Sequence, residues 1–494
     1  MEFKPYLKTV SALVLCNIFL TGCGGSSATN DQRTINVEPD ATYTSQVVQP
    51  YSVATSTSVP RAICGAGSEP ETGLQGQLPS EDYDSGRAAR GYTCNTELIS
   101  QLNYEYMGSS GSFNVMRYVD TKGHECAYFD TSNLSPINLF GDTAGVAVVD
   151  MSDLANPVLV DSLKTPAMLS PHESLILNEK RGLLIAVLGN PATYPGIIDI
   201  YDLSEDCREP KLRSSQLIAG VLGHESGISP DGNTFYTASA LAPTVSAVDI
   251  KNPDEPKFLS VFPLNGHGIS ISDDGNTAYV TSLGIVPYGP PPELTGKGVE
   301  IFDVSEVQAR LANPMMHRIS NIVWDGNGAP QYAAPFRNRG RWYLFETDEF
   351  GAASSPGPGS ARIIDVTDNT APEIIADVRL EVHQEEHLTA IENDPDAAST
   401  PGYSAHYCDV ERKESPTIAA CSMGISGLRV FDIRNPYRPR EIAYFNPPSD
   451  LRENRETIST ISRPIFVRER KEIWYADSAN FYVVRLTNNA WPEQ

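Results

Sequence analysis

The stretch GLRVFDIRNPYRPREIAYF, residues 427–445, has a form that recurs along the chain. An apolar run ends in an aspartate, a turn follows, and a second apolar run begins after the turn. Five more segments share this form: GVAVVDMSDLANPVLVDSL (145–163), IIDIYDLSEDCREPKL (197–212), VSAVDIKNPDEPKFLSVF (245–262), GVEIFDVSEVQARLANP (298–314) and ARIIDVTDNTAPEIIADVRL (361–380). The shared aspartates are spaced 52, 47, 54, 62 and 67 residues apart: Asp150, Asp202, Asp249, Asp303, Asp365 and Asp432. Periods of this size are typical of propeller blades and other repeat arrays.

Each repeated run is short, rich in β-branched residues, and apolar at consecutive positions instead of at every second one. This pattern predicts a strand that is buried on both faces, as between stacked sheets. The aspartate at its end favours a turn, because its carboxylate can accept a hydrogen bond from the backbone two residues further on.

The second half of the repeat is clearest in GHESGISPDGNTFYTAS (223–239) and GHGISISDDGNTAYVTS (266–282). The pairs Asp231-Gly232 and Asp274-Gly275 are expected to supply the positive φ angles of a hairpin turn. Each unit thus contains about four strands, and no helical pattern longer than a couple of turns is evident. The sequence predicts an all-β protein, a β-propeller with blades of about four strands.

The number of blades depends on how the chain ends meet. Six units leave enough chain for a seventh blade, with six or eight blades as the alternatives. The last strand, FYVVRLTNN (481–489), is expected to pair with CNTELISQLNYEYMG (94–108) or ECAYFDTSN (125–133). Closure by both ends of the chain leaves no exposed sheet edge. We therefore expect a single propeller of seven blades over residues 61–494.

The runs GVAVVDMSDLANP, GVEIFDVSEV and GLRVFDIRNPYRPREIAYF resemble the LVIVD repeats of bacterial β-propeller proteins that work outside the cytoplasm. The resemblance extends over about residues 145–448. It implies the propeller fold but no particular reaction, because that family has no single assigned activity. A binding or protein-interaction module is the function that it favours, with a protein partner or a small ligand at the channel face.

The first 22 residues have the layout of a secretory signal: Lys4 and Lys8, then an apolar run to Leu20. Leu20-Thr21-Gly22-Cys23 resembles a bacterial lipobox, which implies cleavage before Cys23 and attachment of diacylglycerol and an N-acyl chain such as palmitate there. Several acyl chains give lasting membrane attachment. Gly24 follows the cysteine, which favours the outer membrane over the inner one. The alternative is an ordinary secretory signal with a chance cysteine.

Residues 23–60 are polar, lack apolar periodicity and are expected to form a flexible tether. No other apolar stretch is long enough for a transmembrane helix. The formal net charge of −25 argues against a nucleic-acid partner, because phosphate contacts require clustered Lys and Arg. The sequence therefore predicts a protein of the cell envelope that is held by its lipid and does not span the membrane.

Six cysteines remain once Cys16 in the signal and Cys23 are set aside. An even set in an oxidising compartment predicts three disulfides, although the pairing is open among 15 possibilities. Cys408 and Cys421 flank a predicted hairpin and are the best candidate pair. The six are Cys64, Cys94, Cys126, Cys207, Cys408 and Cys421.

Histidine recurs at one position of the repeat, where the first strand of a blade begins. The first strands of the blades line the central channel, so these side chains are aimed at one axis. Imidazole is a common ligand of Zn, Cu and Fe. Three interpretations stay open, namely a polar channel rim, a metal or catalytic site, and a small-ligand site. The four histidines are His172, His224, His267 and His406.

The neighbouring acids are expected to lie elsewhere. Adjacent residues of a strand point to opposite faces, so Glu173 and Glu225 are predicted to meet a neighbouring blade or loop. Glu385-Glu386-His387 is predicted to be a solvated loop, and the remaining histidines are assigned structural roles: His124, His317 and His383. The sequence thus favours a binding module, with a metal-dependent enzyme, an oxidase above all, as the alternative.

Overall fold

Seven antiparallel sheets make up the fold, six of them with four strands and one with five. A computed structural model describes residues 57–104, 112–131, 144–188, 196–240, 243–264, 266–284, 296–324, 328–350, 357–394, 402–448 and 459–493. All of these lie in one compact unit, Gln46–Gln494. The architecture is a seven-bladed β-propeller, as the repeat predicts.

Consecutive strands of the chain build each blade. The described part begins with β1 (Tyr92–Cys94) and β2 (Thr96–Asn103). Blades 1 to 3 consist of β3 (Val115–Val119), β4 (Glu125–Asp130), β5 (Val146–Asp150), β6 (Val158–Leu163); β7 (Ile176–Asn178), β8 (Leu183–Val187), β9 (Ile197–Asp202), β10 (Lys211–Leu217); and β11 (Glu225–Ile228), β12 (Thr234–Ser239), β13 (Thr244–Asp249), β14 (Lys257–Phe262). Blades 4 and 5 consist of β15 (Ile269–Ile271), β16 (Thr277–Leu283), β17 (Lys297–Asp303), β18 (His317–Val323); and β19 (Ala329–Asn338), β20 (Arg341–Glu349), β21 (Ala361–Asp365), β22 (Glu373–Val378). Blades 6 and 7 contain β23 (Tyr407–Val410), β24 (Ile418–Ser422), β25 (Leu428–Asp432), β26 (Arg440–Asn446); and β27 (Ile465–Val467), β28 (Glu472–Ala476), β29 (Asn480–Leu486).

The ends of the described chain close the ring. Strand β2 pairs with β29 and completes blade 7, so the first of the two predicted partners is right. The second, which contains β4, belongs to blade 1 instead. Strand β1 pairs with β26 as the fifth strand of blade 6. Two blades therefore depend on strands that lie far apart in sequence.

Apolar side chains on both faces of the middle strands hold neighbouring blades together. In β8, Leu184 belongs to an apolar cluster shared with Val148 of blade 1. The next residue, Ile185, belongs to a cluster shared with Phe235 of blade 3. One such cluster lies between each pair of neighbouring blades. This explains why the repeated runs are apolar at consecutive positions.

The hairpins between β11 and β12 and between β15 and β16 differ in one respect from the expectation. Only the glycine of each Asp-Gly pair has a positive φ angle, 69° at Gly232 and 78° at Gly275. Asp231 instead uses its carboxylate, which accepts the N–H of Asn233 at 3.0 Å. The aspartate stabilises the turn by a side-chain hydrogen bond, so no left-handed residue besides the glycine is needed.

Three disulfides form, Cys64–Cys94, Cys126–Cys207 and Cys408–Cys421. The last joins β23 and β24, as predicted from the hairpin. The helices are short: α1 (Ser80–Asp84), α2 (Pro166–Leu169), α3 (Ser305–Gln308), α4 (Leu388–Glu392), and 3₁₀ turns at Ala88–Arg90, His172–Ser174, Glu381–His383, Glu385–His387 and Arg468–Arg470. Among the described residues, none of the helices has the length and apolar character required to cross a membrane.

The predicted signal segment 1–22, Cys23 and most of the predicted tether 23–60 lie outside the described residues. The last residues of the tether segment are described and contact the propeller. Val59 is buried, and its N–H donates to the carbonyl of Arg379 at 2.9 Å. The carbonyl of Pro60 accepts the N–H of Glu441. The described contacts with the propeller thus include residues slightly before residue 61.

Candidate metal centre

The four histidines singled out by the repeat meet at one place. Each lies just before the first strand of its blade, in blades 2, 3, 4 and 6. The Nε2 atoms of His224 and His267 are 3.0 Å apart. The rings of His172 and His224 lie 4.4 Å apart between centroids. His406 joins the group through the carboxylates described next.

Glu173 lies in the middle of this group. Its Oε2 is 3.2 Å from Nε2 of His224, and its Oε1 is 3.2 Å from Nε2 of His406. Glu173 does meet the neighbouring blade, at His224, but the expectation that it points away from the histidine cluster is wrong. The alternation of a strand does not apply here, because His172 has a φ angle of 50° and residues 172–174 form a 3₁₀ turn. Pro171, which stands where blades 3 and 4 have a glycine, is the sequence signal for a turn at this point.

Glu349, at the end of β20, is the second carboxylate of the centre. Its Oε1 is 3.3 Å from Nε2 of His267, and its Oε2 is 3.2 Å from Nε2 of His406. The sequence analysis missed this residue, because it comes from the second strand of a blade that has no histidine at the repeated position. The sequence contains a signal, since Glu346, Asp348 and Glu349 directly follow the apolar residues 342–345 of β20.

Hydrogen bonds fix the orientation of two of the imidazoles. Nδ1 of His267 is 3.0 Å from the carbonyl of Pro330, and Nδ1 of His406 is 2.9 Å from the carbonyl of Ile461. A carbonyl can only accept, so Nδ1 carries the proton in both rings. In His267, whose pKa is lowered by burial, the Nε2 lone pair of the neutral ring then points into the cluster, which is how metal-binding histidines are commonly held.

The centre is nearly closed to solvent. His267 is 2% exposed, while the side chain of His224 is 18% exposed and marks the more open side. Phe113 packs edge-on against His172, with 4.3 Å between ring centroids, and forms an apolar wall. Burial of this kind makes an uncompensated charge costly.

In this cluster, attraction between the carboxylates and the imidazoles opposes the effect of burial on their pKa values. Burial opposes ionisation of Glu173, but the surrounding histidines hold its pKa well below the usual range. Burial lowers the pKa of His172 to about 3, and the neighbouring His224 acts in the same direction. Burial also disfavours protonation of His406, yet Glu173 and Glu349 outweigh it and raise its pKa to about 10. Within the described part of the chain, all ion pairs of the two glutamates are with histidines.

A third buried acid, Glu225, lies beside the cluster. Neither of its oxygens has a hydrogen-bond partner within the described residues. Burial, and after it the charge of Glu173, raises the pKa of Glu225 well above the usual range. The expectation that it faces a neighbouring blade is right in one respect, since its Oε2 lies against Gly268 of blade 4.

The histidines outside the repeat have other partners. Nδ1 of His124 is 2.8 Å from Asp120, whose carboxylate also accepts backbone N–H groups from Lys122 and Cys207. His383 is buried and bonded to the carbonyl of Tyr403, and His317 pairs with Glu306 at the surface. Asp120, His124 and Asp206 could geometrically hold an ion, but backbone hydrogen bonds already use the Asp120 oxygens.

No protein-family profile and no curated protein matches the sequence significantly. Two similar solved structures are bacterial proteins provisionally named 6-phosphogluconolactonase. The one from Bacteroides uniformis is 13% identical, with a TM-score of 0.48 over 72% of this chain and 89% of that one. The one from Bacteroides fragilis is 10% identical, with a TM-score of 0.48 over 74% and 88%. At this level of identity the names carry no information about the activity of this chain.

Proposed function

We propose that this protein is a metal-dependent enzyme whose metal centre is formed by four histidines and two glutamates at the mouth of the propeller. The observation that carries the proposal is the meeting of imidazole nitrogens from four blades around two buried carboxylates. The residues are His172, Glu173, His224, His267, Glu349 and His406. This favours the enzyme alternative over a binding module.

The spacing of the donor atoms fits a metal ion. Bonds of about 2.1 Å place neighbouring ligands roughly 3.0 Å apart at right angles and roughly 3.4 Å apart in a tetrahedron. Nε2 of His224 lies 3.0 Å from that of His267 and 3.2 Å from Oε2 of Glu173. An ion at the centre of such a triangle replaces repulsion between lone pairs with coordination.

The chemical class of the donors narrows the choice of ion. Imidazole nitrogen suits Zn, Cu and Fe, and carboxylate oxygen suits harder ions such as Mn. A mixed set of nitrogen and oxygen donors without thiolate favours iron, manganese or zinc over copper. Iron or manganese supports oxidation–reduction, which is the class given by the enzyme alternative of the sequence analysis, and zinc supports hydrolysis.

Metal analysis of the purified full-length protein tests the proposal. We expect at least one Fe, Mn or Zn per chain in the wild type. The double variant His224→Ala/His267→Ala should contain only background levels, because it lacks two neighbouring ligands. The matched control is His317→Ala, which removes an exposed histidine that pairs with Glu306.

Two results would contradict the proposal. One is wild-type protein that contains no metal and takes up none of these ions on addition. The other is a double variant with the wild-type metal content. Either result favours a channel rim that binds a partner or ligand without a metal.

We further propose that the enzyme is held at the envelope, in the outer membrane, by a lipid on Cys23. Support comes from the basic start, the apolar run and the sequence Leu20-Thr21-Gly22-Cys23. Cys23→Ala should move the protein from the membrane pellet to the soluble fraction and abolish palmitate labelling, because one lipidated residue supplies the whole attachment. Cys16→Ala, within the same segment, is the control and should remain in the pellet. Unchanged labelling of Cys23→Ala would rule out this attachment site.

A further inference from the structure

We propose that the centre holds two metal ions bridged by the carboxylates of Glu173 and Glu349. The inference rests on the proposed function and specifies how many ions the site takes. It starts from the way in which each carboxylate divides its two oxygens between different histidines.

The two oxygens of Glu173 face different ligands. Oε2 lies 3.2 Å from Nε2 of His224 and 3.7 Å from Nε2 of His267. Oε1 lies 3.2 Å from Nε2 of His406 and 3.8 Å from Nε2 of His172. A carboxylate that serves one ion directs its oxygens to one set of ligands, whereas this one is shared between two sets.

Glu349 repeats the division from the opposite blade. Its Oε1 lies 3.3 Å from Nε2 of His267, and its Oε2 lies 3.2 Å from Nε2 of His406. The two glutamates therefore separate the histidines in the same way. His267 and His406 each contact both acids, through different oxygens of each.

This sharing of the carboxylate oxygens among the histidines assigns two ligand sets with the same kinds of donor atom. The first ion has His224, His267, Oε2 of Glu173 and Oε1 of Glu349. The second has His172, His406, Oε1 of Glu173 and Oε2 of Glu349. Glu173 is common to two overlapping groups of donors, each within 4.8 Å, namely His172, Glu173 and His224, and Glu173, Glu349 and His406. Carboxylate bridges of this kind suit ions about 3.5–4 Å apart.

The number of donors also points to two ions. Four imidazoles and four carboxylate oxygens make eight donors, more than the four to six positions of one transition-metal ion. Glu225 adds a third buried carboxylate without a hydrogen-bond partner among the described residues. The guanidinium of Arg463, which acts electrostatically on Glu225, is paired with Asp409 at 2.9 Å. The two buried oxygens of Glu225 beside the cluster add to the excess of donors over the positions of one ion.

Manganese loading tests the inference. Full-length protein freed of metal with EDTA is titrated with Mn²⁺, bound manganese is counted per chain, and the bound ions are observed by electron paramagnetic resonance. We expect two Mn²⁺ per chain and the broadened spectrum of two spin-coupled ions. A single ion would instead give an isolated six-line spectrum.

A bridge variant and a matched control sharpen the test. Glu349→Gln keeps the size of the side chain but weakens one bridge, so we expect the second Mn²⁺ to bind at least tenfold more weakly and the coupled signal to decrease. His317→Asn at the surface should keep both ions and the coupled spectrum.

The outcomes separate this inference from the proposed function. One Mn²⁺ per chain with an uncoupled spectrum would overturn the two-ion centre and leave a mononuclear enzyme. Two ions that remain coupled to the same extent in Glu349→Gln would overturn the bridging role of Glu349. No bound Mn²⁺, Fe²⁺ or Zn²⁺ at all would overturn both proposals.

Discussion

The two near-copies of the repeat differ directly after their histidines, where blade 3 has Glu225 and blade 4 has Gly268. The structure gives a steric reason for the difference. A Cβ atom at Gly268 would lie 2.3 Å from the carbonyl of Gln331 and 2.3 Å from Oε2 of Glu225. The glycine therefore provides the space that the buried acid occupies. The single residue after the histidine, Glu225 in blade 3 and Gly268 in blade 4, thus determines how the side chains next to the centre pack.

His383 is a buried neutral imidazole away from the centre, and it should make the fold sensitive to acid. Burial lowers its pKa to about 3, and Arg379 acts in the same direction. The unfolded chain, with a pKa of about 6.5, binds a proton that the folded protein does not. The stability from this site is complete above about pH 6.5 and is lost as the pH falls towards 3.

We therefore expect His383→Gln to flatten the pH dependence of stability. Between pH 7 and pH 5 the wild type should lose about 2 kcal/mol more free energy of unfolding than the variant. Urea unfolding at the two pH values measures this difference. Glutamine can still donate to the carbonyl of Tyr403, which accepts from His383 at 2.9 Å. The exposed variant His317→Gln is the control, and equal pH slopes for wild type and His383→Gln would contradict the assignment.

At the scale of elements, one turn device is used six times. The aspartate that ends the third strand of blades 1 to 6 accepts the backbone N–H two residues on, at distances of 2.8–3.1 Å. The residues are Asp150, Asp202, Asp249, Asp303, Asp365 and Asp432. The sequence prediction is confirmed, because this hydrogen bond needs only local chemistry.

Asp303 allows the contribution of this device to be measured in one blade. Its Oδ1 accepts the N–H of Ser305, the first residue of α3, at 2.8 Å. Asp303→Ala should lower the free energy of unfolding by about 1 kcal/mol, because that N–H loses its acceptor. Asp303→Asn keeps an oxygen in place and should lose less. Urea unfolding distinguishes the two, and an equal loss in both variants would show that the hydrogen bond is not the cause.

The positions of the strands could be predicted because, like the Asp turns, they depend on local sequence. The positions of the two glutamates of the centre could not. The 3₁₀ turn at His172–Ser174 interrupts the strand alternation and directs Glu173 towards the histidines. Strand β20 ends in Glu349, which belongs to the second strand of its blade and so lies outside the repeated position. Both acids come from local departures from the repeat, which a repeat pattern cannot reveal.

At the scale of the whole molecule, ring closure decides which residues meet. Glu173 follows His172 at the start of blade 2, yet it also contacts His406 of blade 6. The strands that complete blade 7 come from both ends of the described chain, since β2 pairs with β29. A ring of six or eight blades would place the same side chains at different distances from the axis. The centre therefore depends on the blade number as much as on its residues.

Patterns in the sequence were enough to predict the propeller, the Asp turns, the hairpin disulfide and the four histidines, and they gave the closing pair of strands as one of two options. These follow from patterns with short range, namely strand burial, turn chemistry and a period of about fifty residues. The convergence of the histidines, and the position of Glu173 and Glu349 between them, became visible in the folded structure. Convergence depends on how seven blades close and where side chains point across the axis, and neither is encoded in any one stretch of the chain.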